Sequence, residues 1–207
     1  MKKKKGYFIT LEGIEGCGKS TQICHVARYF KRHKKPYIIV REPGGTKIGE
    51  KIREILLDKK NNAMAHSAEV LLYCAARAQI VHEVIAPALK KGITVICDRF
   101  YDSTIAYQGY GLGMDLRRVQ DLCAFAADGL VPDITLLLDL PVKTGLTRAG
   151  RTDRIEGRSL RYHEKVRKGF LALARAHKRR FFVINATQKI TAVKERIESI
   201  LDDAFGS

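Results

Sequence analysis

Lys19 and Ser20 close the stretch "GIEGCGKS", in which Gly13, Gly18, Lys19 and Ser20 satisfy the spacing G-x-x-x-x-G-K-S. That spacing belongs to a loop that wraps the phosphates of a nucleoside triphosphate. Glycines permit the backbone angles that turn successive N–H groups inward around anionic oxygens. A helix beginning at the loop adds the partial positive charge of its N-terminus. Lys19 is the group that reaches the β- and γ-phosphates, and the Ser20 hydroxyl completes a Mg2+ site. Gly16, Cys17 and Thr21 belong to the same cradle. Cys17 also lies beside N–H groups and Lys19 that can favour its thiolate, which makes it a candidate for alkylation that blocks ATP binding. The dinucleotide fingerprint G-x-G-x-x-G is absent, because glycines 13, 16 and 18 stand in the wrong order. ATP with magnesium is therefore expected, but switch GTPases, motor ATPases and small kinases all use such a loop.

Other residues narrow the chemistry. Asp98 ends the apolar run "ITVIC", where a carboxylate would face the phosphate loop and its magnesium; Arg99 beside it can bridge two phosphates. Glu15 lies inside the loop, where an acid facing phosphates is unfavourable, so its carboxylate must point elsewhere. Tyr73 and Arg77 are four apart and share a helix face, and Thr104 and Gln108 repeat that spacing further on. Arginines at 148, 151, 154, 158 and 161 would share a face if helical, although Gly150 and Gly157 make a mobile segment plausible. Phosphoryl transfer needs positioning and cations around the equatorial oxygens rather than a protein nucleophile, and such a group of arginines suits it.

These residues need a scaffold. Continuous apolar, β-rich runs recur at 7–11, 37–41, 93–97, 134–140 and 180–184, as expected of parallel strands buried on both faces. Helical patterns lie between them at 20–33, 47–57, 67–91, 116–127, 160–176 and 190–204. This alternation predicts an α/β fold, doubly wound around a parallel sheet. At 207 residues and without a credible linker, the chain is expected to form a single domain with a basic tail at 1–6. Its 45% apolar and 29% charged residues fit a globular protein, and no apolar run approaches the roughly 20 residues of a membrane span. Five cysteines without a C-x-x-C pair argue against a zinc or disulfide framework and for a reducing cytoplasm. A net charge of +16 admits polyanion partners. Aromatics are nearly absent from the basic runs, however, so neither a nucleic-acid nor a membrane partner is expected.

At "REPGGT" (41–46), "LLYCAARAQ" (71–79), "DRFYDSTIAYQG" (98–109), "PDITLLLDL" (132–140) and "DRIEGR" (153–158), the chain resembles the thymidylate kinase family. The resemblance runs from about residue 7 to 205. It implies the nucleoside-monophosphate-kinase form of the P-loop fold, with a five-stranded parallel sheet, a mobile lid at about 148–161 and a homodimer. It also implies transfer of the γ-phosphoryl group of ATP to dTMP.

By that resemblance Glu15 meets the acceptor's 3′-hydroxyl and Arg53 holds its phosphate. Tyr73, where relatives more often carry Phe, can stack on thymine; Arg77 can donate to the base O4, and Thr104 can contact the N3 edge. Glu42, Pro43, Ser103 and Gln108 complete the pocket, and Tyr107 lies where a ribose 2′-hydroxyl would need room. Some relatives carry an arginine inside the phosphate loop, where this chain has Glu15–Gly16. It thus resembles the subgroup whose catalytic arginine comes from the lid, with Arg151, Arg154 and Arg158 as candidates beside Lys19 and Arg99. Arg148 can instead stack on adenine. The alternatives are a kinase of another nucleoside monophosphate and a non-kinase phosphate-loop module; a switch GTPase would need an N-K-x-D motif, which is missing.

Overall fold

The computed structural model describes residues 6–150 and 153–205. Five parallel strands, β1 Phe8–Glu12, β2 Tyr37–Arg41, β3 Thr94–Asp98, β4 Ile134–Asp139 and β5 Phe181–Asn185, form one sheet in the order β2-β3-β1-β4-β5. The long crossovers are helical: α1 Lys19–Arg32, α2 Lys47–Leu57, α3 His66–Ile80, α4 Ala86–Lys90, α5 Tyr101–Thr104, α6 Leu116–Ala126, α7 Val142–Ala149, α8 Leu160–Ala176 and α9 Ile190–Phe205. The α/β class and the parallel sheet are as the sequence predicts.

Only the central strands are buried on both faces. β1, β3 and β4 are almost wholly enclosed, whereas the edge strands β2 and β5 leave Ile39 and Val183 each 49% exposed. An apolar run does not distinguish a central strand from an edge one. The helix expected over 67–91 is continuous but widens into a π-helical turn at Val81–Ile85, just before Pro87. Pro87 has no N–H to donate and its ring crowds the preceding turn, so the wider turn relieves both problems.

A second π-helical turn, Ile105–Gly111, follows α5 and turns Tyr107 and Gln108 inward. α7 was not expected from the sequence at all. It ends at Gly150 in the left-handed region, and the side chain of Ser159 caps α8. Gly6 hydrogen-bonds the Leu89 carbonyl at 3.0 Å and is buried, so it belongs to the packed body rather than to the basic tail.

Candidate active site

The phosphate loop leaves β1 at its carboxyl end. Gly13 has φ 139°, and a Cβ there would stand 2.5 Å from the Leu138 carbonyl oxygen and 2.9 Å from Cys17 Sγ. Gly18, left-handed with φ 92°, starts α1, so Lys19, Ser20 and Thr21 form its first turn. Lys19 arches back over the loop and donates to the carbonyls of Gly13 at 3.2 Å and Ile14 at 3.1 Å. Ser20 and Thr21 are exposed at the mouth. Cys17 is buried with its sulfur against the loop, so it serves through its backbone, and a ready site for alkylation is not what the structure offers.

β3 pairs with β1 so that Asp98 lies opposite Leu11, at the same sheet end as the loop. Its Oδ1 is buried without a hydrogen-bond partner. An orphaned carboxylate oxygen at the phosphate-loop end of the sheet suits a hard cation, since Mg2+ on phosphates takes one or two protein ligands and fills the rest with water and phosphate oxygens.

All the acceptor-site residues expected from the sequence line one cleft beside this loop: Glu15, Glu42, Pro43, Arg53, Tyr73, Arg77, Arg99, Ser103, Thr104, Tyr107 and Gln108. Arg77 is its deepest cation, 1% exposed. Its Nε and Nη2 meet Glu42 Oε2 at 2.8 Å, Nη2 also donates to Thr104 Oγ1 at 3.0 Å, and the guanidinium lies 5.3 Å above the Phe100 ring. Burial pushes the Glu42 carboxyl up, and Arg77 limits the rise. Arg53, half-buried at the rim, donates to the Pro43 carbonyl at 2.8 Å.

Arg99 is the hub between loop and cleft. It is a non-glycine residue at φ 68°, a strained conformation that neighbouring contacts must hold. Its N–H donates to the Leu11 carbonyl at 3.1 Å; its Nη1 donates to the Gly13 carbonyl at 2.9 Å and Ser103 Oγ at 3.0 Å, and Nη2 meets Glu15 Oε1 at 3.3 Å. Tyr107 donates its hydroxyl to the same Glu15 oxygen and its ring lies 5.1 Å beneath the Arg99 cation. Burial alone would raise the Glu15 carboxyl, but His163, Arg99, Lys19 and Tyr107 together hold it down at about 2.

Sequence reasoning missed Glu12. It is wholly buried at the end of β1 and accepts from the Phe100 N–H at 2.7 Å and the Ser103 hydroxyl at 2.6 Å, fixing the turn that carries Arg99. Burial, reinforced by Asp102, raises its carboxyl to about 8. The one sequence signal was a carboxylate in the last place of an apolar strand, directly before Gly13.

Among the described residues, the lid arginines do not share a helix face. Arg148 lies in the last turn of α7 with its Cβ beside Gly16, Arg161 lies in α8, and Arg151 lies outside the described residues. Gly150 breaks the helix, and Asp153 accepts from the N–H groups of Ile155 at 2.8 Å and Glu156 at 2.9 Å in a tight turn. Arg154 and Arg158 each meet Glu69 Oε2 at 2.6 Å. Arg154 also donates to the Leu56 carbonyl at 2.9 Å, and Arg158 to the Tyr162 hydroxyl at 2.8 Å. Glu69, buried on α3 and bound also by Gln108 at 2.8 Å, was likewise not expected. Arg154 is thus turned from the cleft, while its neighbours Asp153, Ile155 and Glu156 line it.

A family model described as thymidylate kinase matches residues 11–197 of this chain. The chain belongs to the thymidylate kinase family. A thymidylate kinase of Carboxydothermus hydrogenoformans is 49% identical over 98% of this chain and 100% of its own length. One of Geobacter sulfurreducens is 48% identical over 95% of this chain and 96% of its own. The crystal structure of thymidylate kinase from Ehrlichia chaffeensis superposes with a TM-score of 0.79 at 32% identity, covering 95% of this chain and 99% of that one. The phosphate loop and cleft described above are therefore set in a thymidylate kinase fold. Among the described residues no helix is long and apolar enough to cross a membrane.

Proposed function

We propose that the chain works as a magnesium-dependent thymidylate kinase, transferring the γ-phosphoryl group of ATP in line to dTMP and releasing dTDP and ADP. The observation that carries this reading is the convergence of the acceptor residues on one cleft that shares Arg99 and Glu15 with the phosphate loop. Lys19 stabilises charge on the transferring group, and Arg99 bridges the donor and acceptor phosphates. Arg53 holds the acceptor phosphate. Tyr73 stacks on thymine against the wall made by Pro43; Arg77, anchored by Glu42, donates to O4, and Thr104 meets the N3 edge. Glu15 receives the 3′-hydroxyl, and Tyr107 crowds the 2′ position. Ser20 and Asp98 would hold Mg2+, which would supply neutralisation of the phosphate charge. No covalent intermediate is needed, since positioning and fixed charge suffice for this transfer.

The segment around 148–161 acts as a lid that excludes water, with Arg151 and Arg158 as its remaining candidate cations and Arg148 against the adenine. The working form is a cytoplasmic homodimer. Leu71 on α3 and Phe125 on α6, 86% exposed, give these packed helices an apolar face for a second copy, and all five cysteines are free thiols. A coupled assay of ADP release with ATP and each nucleoside monophosphate in turn tests the reading. A dTMP rate well above the others is expected, and a preference for another acceptor would overturn it.

A further inference from the structure

His163 on α8 is fully buried, and neither of its ring nitrogens has a hydrogen-bond partner. Its Nδ1 lies 3.4 Å from Oε2 of Glu15, an oxygen that is also buried and also without a partner. Two unsatisfied groups facing each other at that distance are not coincidental neighbours, because leaving a buried polar group unpaired is costly and a small approach would satisfy both. The other Glu15 oxygen is already committed. Oε1 accepts from the Tyr107 hydroxyl at 2.5 Å and from Arg99 at 3.3 Å. Glu15 is therefore an acceptor throughout, and the proton between Nδ1 and Oε2 must sit on the histidine.

A carboxylate fixed at one oxygen still turns about its terminal torsion, which is broad. Fixing the second oxygen from behind sets the plane of the group. The ring that does this is itself held, with Tyr162 edge-on at 5.2 Å. We propose that His163 is a positioning residue for the acceptor sugar: its Nδ1–H holds Oε2 of Glu15 from the core side and so aims Oε1 into the cleft. This rests on the reading that Glu15 receives the 3′-hydroxyl.

The test compares kcat/KM for dTMP with that for 3′-deoxythymidine monophosphate, which lacks the hydroxyl. In His163→Leu the preference for dTMP falls by about tenfold or more, through a higher KM for dTMP, while the deoxy acceptor is used as before. His163→Asn, whose amide nitrogen stands where Nδ1 stood, keeps the preference within about threefold. His163→Gln, whose amide reaches to the Nε2 position instead, loses it; the Asn and Gln pair serves if the leucine variant does not fold. Glu15→Gln is the control. If it lowers the preference and no His163 variant does, His163 only packs and the proposal is wrong. If Glu15→Gln leaves the preference intact, the reading of Glu15 fails first and takes the proposal with it.

Discussion

The sharpest consequence of the buried site concerns Glu12. Its carboxyl rises from 4.5 to about 8 because it is removed from water beside Asp102, with Arg99 and two hydrogen bonds recovering only part of the cost. A folded-state pKa above the unfolded one means that the folded protein binds the extra proton. Stability from this group is fully present below about 4.5 and is lost progressively as pH rises through about 8. At about 1.4 kcal/mol for each pH unit between the two values, the loss is about 5 kcal/mol. Glu12→Gln stays neutral at every pH and keeps a carbonyl acceptor for the Phe100 N–H or the Ser103 hydroxyl. In urea unfolding at pH 5 the two proteins should differ little. At pH 9 the Gln variant should be the more stable by about 3–5 kcal/mol, with the gap opening progressively between about pH 4.5 and 8. A gap that does not change with pH, or a parent protein that gains on the variant as pH rises, would refute the assignment of Glu12 as a neutral buried acid.

Four other outcomes are expected. Arg154→Ala should destabilise the fold by about 1.5–3 kcal/mol, read by denaturant midpoint, because Glu69 and the Leu56 carbonyl lose a charged donor; Arg158→Ala should instead lower kcat by about 10²-fold. Tyr107→Ala should narrow the kcat/KM preference for dTMP over its ribose counterpart, because crowding rejects a hydroxyl by only a few kcal/mol at most; an unchanged ratio would leave Tyr107 as a strut for Glu15. The proposed dimer face predicts that the parent sediments as a dimer and Phe125→Asp as a monomer; an unchanged mass would overturn that placement of the subunit contact.

What was legible in the sequence was local or repeated. Gly13, Gly18, Lys19 and Ser20 carry their meaning in their spacing, and the apolar runs separated by helical patterns sufficed for the sheet. The residues expected at the acceptor came from resemblance, and the structure gathers them on one cleft. Residues whose meaning comes only from distant partners stayed hidden. Glu12 matters because Phe100 and Ser103 arrive beside it, and Glu69 because Arg154 and Arg158 fold back onto α3. α7 was unreadable for a related reason. Gly145 and two threonines argue against a helix, yet a side chain at Gly145 would strike the Glu15 carbonyl, so packing against the phosphate loop requires the residue that propensity disfavours.

The partners of the cations also divide the cleft by task. Lys19 and Arg53 rest on backbone carbonyls, and Arg99 rests on a carbonyl, a hydroxyl and only at 3.3 Å on a carboxylate. Neutral acceptors hold a cation more weakly than charged ones, so each of these groups can exchange its present partner for a phosphate oxygen and gain by it. Arg77 is different. Two of its nitrogens meet one carboxylate oxygen at 2.8 Å in full burial, and breaking that pair would leave an uncompensated charge. It cannot move to a phosphate. Its remaining donor capacity is fixed in place with its charge already balanced by Glu42, which suits the carbonyl edge of an uncharged base and offers nothing extra to an anion. Arg154, held by Glu69 and the Leu56 carbonyl with its side chain only 6% exposed, is likewise an anchor for the lid rather than a free cation. Arg158 meets the same Glu69 oxygen, but its side chain is 18% exposed, and it can leave while Arg154 stays to balance the carboxylate. Among Lys19, Arg53, Arg77 and Arg99, the three proposed for phosphate have weak present partners, and the one proposed for the base has a strong one.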